Sequence, residues 1–292
     1  MPPTLALKSP CKVNLLLNIL GRRPDGFHEL ETIMHPVALY DDLEFERTGE
    51  GVKLTCSDRT LPVDSGNLVH RATTAFLTAA GLSVGIRIHL EKRIPLAAGL
   101  GGGSGNAATT LLGLNELFDH PLSADRLSAI ASSLGSDIPF FLQTGPALAT
   151  GRGEIISPLP EFPAMRGSVF VLVHPGFGIS TPWSYQNLAR FPAALNGQPG
   201  RAAKLVTRLQ ATDLPAAGAE FYNSLEAPAL EKFPLLVLFQ EFFRGEGAPA
   251  TLMSGSGSTT FALATDQAHA EGMMERFRSH FGGQYWLTSV PV

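Results

Sequence analysis

The sequence predicts an α+β chain of two compact domains, and three observations carry that prediction. Apolar and polar residues alternate near the N-terminus as a strand requires, a strand, a glycine loop and an Ala/Leu-rich helix follow one another before residue 120, and strands and helices interleave beyond residue 160. A length of 292 residues leaves enough chain for each part to bury its own core. The division is expected at 1–160 and 161–292, because Pro158 to Arg166 is Pro-rich and aperiodic, as linkers are.

From Lys12 to Ile19 the residues Val13, Leu15, Leu17 and Ile19 point one way, and Lys12, Asn14, Leu16 and Asn18 point the other. Three polar side chains thereby share a face. A turn at Gly21–Gly26 leads into Phe27 to Phe45, one or two further strands. Asn67 to Ala80 spaces Leu68, Ala72, Ala75, Phe76 and Ala79 as a helix does, with Gly81 as its stop. Val84 to Leu90 alternates again. The glycine loop feeds a helix from Asn106 to Phe118, and Ser123 to Leu134 is a second helix ended by Gly135. Strands at Ala147–Thr150 and Ile155–Pro158 flank a Gly-Arg-Gly turn. In the second part the pattern gives a strand at Ser168–Val173, helices within Pro182–Leu188, Arg201–Gln210 and Ala227–Phe243, strands at Thr251–Met253 and Thr259–Ala264, a helix at Gln267–His280 and a strand at Gln284–Thr288. There is no internal repeat.

Composition narrows the class of partner. Charged residues make up 16% of the chain and the formal net charge is −4, which leaves no excess of cations for a polyanion and disfavours nucleic acid. Cys11 and Cys56 are the only cysteines and the eight histidines form no clustered pair, so neither a disulfide scaffold nor a transition-metal site is expected. The stretch Met1–Lys8 has neither the basic start nor the apolar run of a leader, and Phe233–Phe243, about eleven residues, is too short to cross a bilayer. A soluble cytoplasmic protein without membrane or nucleic-acid partners, monomeric or a weak homodimer, is the expectation.

Gly99 to Gly105 holds five glycines in seven residues and opens a helix. Helix N-termini present unpaired N–H groups and the positive end of the dipole, so this loop suits phosphate, and the Ser104 hydroxyl suits a phosphate oxygen or magnesium. The loop carries no lysine and so is no Walker A motif, and Ser104 stands where a dinucleotide fingerprint needs its third glycine. A tight structural turn is the alternative.

The stretch Pro95–Ala108 resembles the phosphate loop of the GHMP kinase superfamily. Three more stretches, Pro10–Leu15, Pro24–Leu30 and Gly135–Phe141, are similar to the branch of that superfamily whose acceptor is a cytidine diphosphate-linked methylerythritol, and Met253–Ser258 resembles the superfamily's C-terminal glycine motif. The resemblance runs from about residue 8 to beyond 260 and is weak only between 190 and 225. It implies a β-α N-terminal domain that holds ATP, a ferredoxin-like C-terminal domain, and an active site in the cleft between them. The implied reaction moves the γ-phosphoryl group of ATP, accompanied by Mg2+, to the acceptor's 2-hydroxyl.

Residue by residue, the resemblance assigns Lys12 and Asp137 to catalysis. A loop without lysine needs a cation from elsewhere, and Lys12 would supply it while keeping Asp137 ionised as base or orienting group. The alternatives are a surface strand lysine and an aspartate that caps a helix turn. Pro95, Gly99, Leu100, Gly101, Gly102, Gly103, Ser104, Gly105 and Asn106 would hold the nucleotide phosphates, with Asn67, Leu68 and Lys92 at adenine and ribose. Asn14, Phe27, His28, Thr181 and Tyr185 would hold the acceptor, the imidazole bonding a cytosine edge while aromatic rings stack on its faces. The metal ligands are not identified. Many relatives carry a second serine where Gly105 stands, so one hydroxyl is lost here. The competing readings are a kinase for mevalonate, homoserine or a sugar, a catalytically silent nucleotide binder, and an RNA-binding β-α protein. The Asp25-Gly26-Phe27-His28 stretch, the retention of Lys12 and Asp137, and the acidic balance oppose them in turn.

Overall fold

Alternation over Lys12–Ile19 marks the middle of a longer strand. The computed structural model describes residues 4–292; Met1–Pro3, the start of the stretch scanned for a leader, lie outside the described residues. The chain order is β1 (Thr4–Arg22), β2 (His28–Thr48), β3 (Val52–Cys56), α1 (Leu68–Ala80), β4 (Gly85–Glu91), α2 (Gly102–Leu117) and α3 (Ala124–Leu134), then a 3₁₀ turn at Pro139–Leu142, β5 (Ala147–Gly151) and β6 (Ile155–Pro158). A second 3₁₀ turn at Pro163–Met165 precedes β7 (Val169–His174), α4 (Thr181–Leu188), α5 (Pro192–Leu195), α6 (Arg201–Gln210), α7 (Leu214–Gly218) and β8 (Tyr222–Asn223). The chain ends with α8 (Glu226–Lys232), α9 (Pro234–Gly245), β9 (Thr251–Met253), β10 (Thr260–Ala264), α10 (Gln267–Phe281) and β11 (Trp286–Pro291).

Three expectations are corrected. Helix α2 begins at Gly102, four residues before Asn106, so the glycines form its first turn. The helix expected over Ala227–Phe243 is two helices, because Pro234 offers no N–H and holds Phe233 outside the helical region at φ −123°, ψ 74°. The expected polar face of the first strand is covered: every residue from Cys11 to Ile19 is buried, Lys12, Asn14 and Asn18 included.

Packing groups the described residues into two units, each drawn from separate stretches. The first takes residues up to Cys11, then Leu39–Ile94 and Gly101–Thr144, and the second takes Lys12–Ala38, Pro95–Leu100 and Gly145–Val292. In the first, β4 pairs in parallel with β3 (Leu54↔Ile88) and antiparallel with the later half of β2 (Phe45↔Ile88). Helix α1 starts at the side chain of Asn67, which accepts the Val69 N–H, and stops at Gly81 in the left-handed region, φ 65°. Its Phe76 is fully buried, as are Leu111 and Leu114 of α2.

In the second unit the earlier half of β2 pairs with β5 (Ile33↔Leu148), β5 pairs with β6, and β1 runs parallel to β8 (Leu16↔Tyr222). A separate four-stranded sheet has the order β11-β7-β10-β9, every neighbour antiparallel. With α8 and α9 before the β9–β10 hairpin and α10 before β11, this is the ferredoxin-like β-α-β-β-α-β order that was expected. Phe239, Phe243, Met273 and Phe277 from α9 and α10 are wholly buried in one cluster with Val171, Val173, Ala262 and Ala264 of the sheet. Each such side chain contributes about 1.5–3 kcal/mol by leaving water. Among the described residues no helix is long and apolar enough to cross a membrane.

Candidate active site

In the first unit the nucleotide candidates gather at the start of α2. Gly101, in the left-handed region at φ 69°, turns the chain so that the first helical N–H groups face outward, and the Ser104 hydroxyl in that turn is half-buried. A side chain at Gly105 would collide with the chain: its Cβ would lie 2.4 Å from the Pro10 carbonyl oxygen. The missing second serine therefore has a steric cause. Lys92 donates from Nζ to Asn106 Oδ1 at 3.1 Å and is ion-paired with Asp41. Asp41 is fully buried and accepts from the Arg93 and Ile94 N–H groups at 2.7 and 2.9 Å and from Asn106 Nδ2 at 2.9 Å. That carboxylate fixes where β4 ends and where the run into the glycine loop begins. Leu68 lies 3.8 Å from the Cβ position of Gly103, while Asn67 spends its side chain on the cap of α1 and on the Pro62 carbonyl.

Asp137 is also in the first unit, half-buried in the turn between α3 and the 3₁₀ segment. That segment has Ile138 at its N-cap and Pro139 at its first position.

In the second unit Lys12 is 2% exposed, which removes the alternative of a surface strand lysine. Its Nζ donates to Asn14 Oδ1 at 2.5 Å and to the Gly99 carbonyl at 3.0 Å, and its backbone N–H donates to the Leu100 carbonyl at 2.9 Å. Asn14 in turn donates to Thr32 Oγ1 at 2.9 Å, which sets which amide end faces the ammonium. Gly99 has φ 77°, and a Cβ there would stand 2.0 Å from the Ser254 carbonyl oxygen. Ser254 Oγ donates to the Gly99 carbonyl at 2.9 Å, so the C-terminal glycine stretch braces the first half of the loop, whose opening residue Pro95 lies in the same unit. Asn223 holds that stretch in place, donating to the carbonyls of Met253 and Gly255 at 2.7 and 2.8 Å.

The acceptor candidates of this unit form two groups. The His28 and Tyr185 rings have centroids 5.0 Å apart at 33°, and Phe27 beside them is 52% exposed. Thr181, first residue of α4, bonds Ser256 of the glycine stretch at 2.8 Å. Burial, and then the nearby Arg22 guanidinium, holds the His28 imidazole below its ordinary value. At neutral pH the ring is therefore uncharged, with one donor and one acceptor nitrogen.

Sequence reasoning missed Asp41 and Asn223. A signal for the first was present: Asp41 falls in register with Ile33, Val37, Leu43 and Phe45 on one face of β2, where a lone carboxylate needs partners. Asn223 lies where the resemblance was weakest and gave no such signal.

Among the described residues no three His, Cys, Asp or Glu side chains are grouped to hold a metal. Magnesium that arrives on nucleotide phosphates keeps most of its waters and needs only one or two protein oxygens, so the half-buried Ser104 hydroxyl at the helix start fits it.

The GHMP kinases N terminal domain family matches residues 67–145, and the GHMP kinases C terminal family matches residues 191–283. The 4-diphosphocytidyl-2-C-methyl-D-erythritol kinase of Geobacter sp. strain M21 is 42% identical over 264 residues, 90% of each chain. The protein of the same name from Citrifermentans bemidjiense is 39% identical over 288 residues, covering 95% of this chain and 96% of its own. A crystal structure of 4-(cytidine 5'-diphospho)-2C-methyl-D-erythritol kinase superposes with a TM-score of 0.79 at 35% identity, over 99% of this chain and all of that one. With both halves of the fold matched by family and nearly the whole length matched by relatives, the chain belongs to the GHMP kinases and, within them, to the family of 4-diphosphocytidyl-2-C-methyl-D-erythritol kinases.

Proposed function

We propose that this chain transfers the γ-phosphoryl group of ATP to the 2-hydroxyl of 4-diphosphocytidyl-2-C-methyl-D-erythritol, giving ADP and the 2-phosphate, a step of non-mevalonate isoprenoid precursor synthesis. The observation that carries the proposal is the buried ammonium of Lys12 bonded to the carbonyl of Gly99, which ties a cation to a phosphate-type loop that has none of its own.

Phosphoryl transfer needs positioning and charge neutralisation more than covalent chemistry. The N–H groups at the start of α2 receive phosphate oxygens, with Gly101, Gly102 and Gly103 keeping that surface free of side chains and Gly105 letting the helix pack against Pro10. Lys12 neutralises charge that spreads over the transferred group, and Asn14 holds the ammonium in place. Lys92, Asn67 and Leu68 form the nucleoside side of the ATP site, and Asn106 at the phosphate loop holds Lys92 in place. Phe27, neutral His28 and Tyr185 receive the cytosine, and Thr181 receives the sugar chain. Asp137 orients the 2-hydroxyl and takes its proton as the new P–O bond forms and the bond to ADP breaks, because in a loose transition state the hydroxyl becomes acidic late. Ser104 would help to hold a magnesium ion brought in on the nucleotide phosphates, which would supply further positive charge there. The division into 1–160 and 161–292, action in the cytoplasm and a monomeric or weakly dimeric state belong to the same proposal.

The test is direct. Purified protein with magnesium and ATP is expected to release ADP when given 4-diphosphocytidyl-2-C-methyl-D-erythritol and not when given mevalonate or homoserine. Turnover of either of those compounds alone overturns the substrate assignment.

A further inference from the structure

Phe27 is a large apolar side chain left 52% exposed, and its surroundings are built rather than loose. Its backbone N–H donates to Asp25 Oδ1 at 3.1 Å, and Arg23 braces the same turn through Asp25 and Glu29 at 3.2 and 2.7 Å. The guanidinium carbon of Arg152 stands 4.7 Å from the Phe27 ring centroid. Arg152 lies in the turn between β5 and β6, and its Nε and backbone N–H donate to the Glu154 carboxylate at 3.2 and 2.6 Å. The guanidinium meets Glu154 through Nε alone, and its two Nη groups make no hydrogen bond among the described residues.

Each part has a chemical consequence. The cation–π contact with the ring and the Nε bond to Glu154 restrain the guanidinium from two sides, so its Nη groups are held in place before any ligand arrives. A planar two-donor edge matches two oxygens of a phosphate, which a lysine ammonium cannot do. Burial alone would raise the Glu154 carboxyl, but backbone N–H groups and Arg152 outweigh it and keep Glu154 ionised, so the clamp persists at neutral pH. A second guanidinium, Arg22, is near enough to depress His28, which puts positive potential along the same stretch of chain. An exposed aromatic platform, a neutral imidazole and an oriented guanidinium together fit a pyrimidine nucleotide with a diphosphate, and fit a bare nucleoside less well.

We propose that Arg152, set over the Phe27 ring and clamped by Glu154, is a specificity residue of the acceptor site that grips the diphosphate of the cytidine diphosphate-linked substrate. The inference rests on the function proposed above and adds a contact to it.

The experiment compares cytidine with cytidine diphosphate by calorimetric titration of the wild-type protein, Arg152→Met and Arg152→Lys. Arg152→Met is expected to weaken cytidine diphosphate binding by about tenfold or more and cytidine binding by less than about twofold, with Arg152→Lys recovering only part of the loss, as expected when a bidentate charged contact is removed. In turnover, the loss in kcat/KM is expected to fall on KM for the acceptor and not on KM for ATP. Equal weakening of both ligands would mean that Arg152 only supports the Phe27 ring, and no weakening would mean that it touches neither; each result overturns the inference alone. A folded wild-type protein that binds neither ligand removes the cytidine reading itself, and the inference with it.

Discussion

Lys12 and Ser254, 242 positions apart in the sequence, donate to the same oxygen, the carbonyl of Gly99, at 3.0 and 2.9 Å. A carbonyl has two lone pairs, and here the ammonium and the hydroxyl take both. The loop's first glycine thus sets the position of the cation, and the C-terminal glycine stretch sets the position of that glycine. Asn223 extends the chain of support by one more step, through the carbonyls of Met253 and Gly255. On this view the C-terminal stretch acts on Lys12 indirectly, by holding the surface on which the ammonium rests.

Replacing Lys12 by Met keeps much of the volume and removes the charge. Ser254 still serves the Gly99 carbonyl, so the fold is expected to survive, as far-ultraviolet circular dichroism will show. Turnover is expected to fall by about 10²–10³, the range for deleting one preorganised electrostatic contact to a transition state. A kcat within a few-fold of wild type would remove Lys12 from the chemistry.

Gly99→Ala tests the loop's geometry independently of charge. The new methyl would stand 2.0 Å from the Ser254 carbonyl oxygen at a backbone φ of 77°, so the loop and the C-terminal stretch must separate. The expected cost is about 2–4 kcal/mol, combining overpacking with left-handed strain, and is read from denaturant melts. ATP affinity should fall in parallel. An unchanged melting midpoint would show that this contact is not made in solution.

How much of this was legible in the sequence depended on how local the cause was. Helix α1 was read with both ends correct because Asn67 and Gly81 act within their own turns. The ferredoxin-like order was legible because each strand and helix carries its own period. The continuity of β2 was not, since Pro36 in mid-strand reads as a break; it is tolerated because it falls between Leu30–Met34, which pairs with β5, and Asp42–Thr48, which pairs with β4. At the site, the glycine loop announced itself by composition, whereas the burial of Lys12 did not. Alternation gave Lys12 a polar face, and only tertiary packing shows that face to be covered. Asp41 and Asn223 act on backbone groups 52 and 30 residues away, and no local pattern encodes such partners.

His35 provides a pH test of the fold. Burial depresses its imidazole, outweighing the Pro36 carbonyl and Glu161, which act in the other direction, and its ring packs 5.5 Å from that of Phe170. The folded protein therefore binds fewer protons at this position than the unfolded chain does. The resulting stability is complete above the unfolded histidine value of about 6.5 and is lost as pH falls through the lower folded value. His174, also depressed by burial, acts with the same sign. Wild-type protein should accordingly melt at lower temperature on going from pH 7.5 to 5.5, and His35→Gln should show a shallower dependence over the same interval. Identical slopes would exclude His35 as a source of the effect.

Asp137→Asn separates orientation from proton acceptance. The amide oxygen can still accept a hydrogen bond from the acceptor hydroxyl, but the group cannot take the proton at neutral pH. If proton acceptance matters, kcat should fall by at least about 10², the usual contribution of a positioned base, while KM for the acceptor changes little. The melting temperature and circular dichroism of the same variant, measured alongside, separate lost chemistry from lost fold. Asp137→Ala removes the orienting oxygen too, and a further loss in kcat beyond that of the Asn variant measures what orientation alone supplies. Full turnover by Asp137→Asn would leave the carboxylate with no role as base, and full turnover by Asp137→Ala would leave it with none in the reaction.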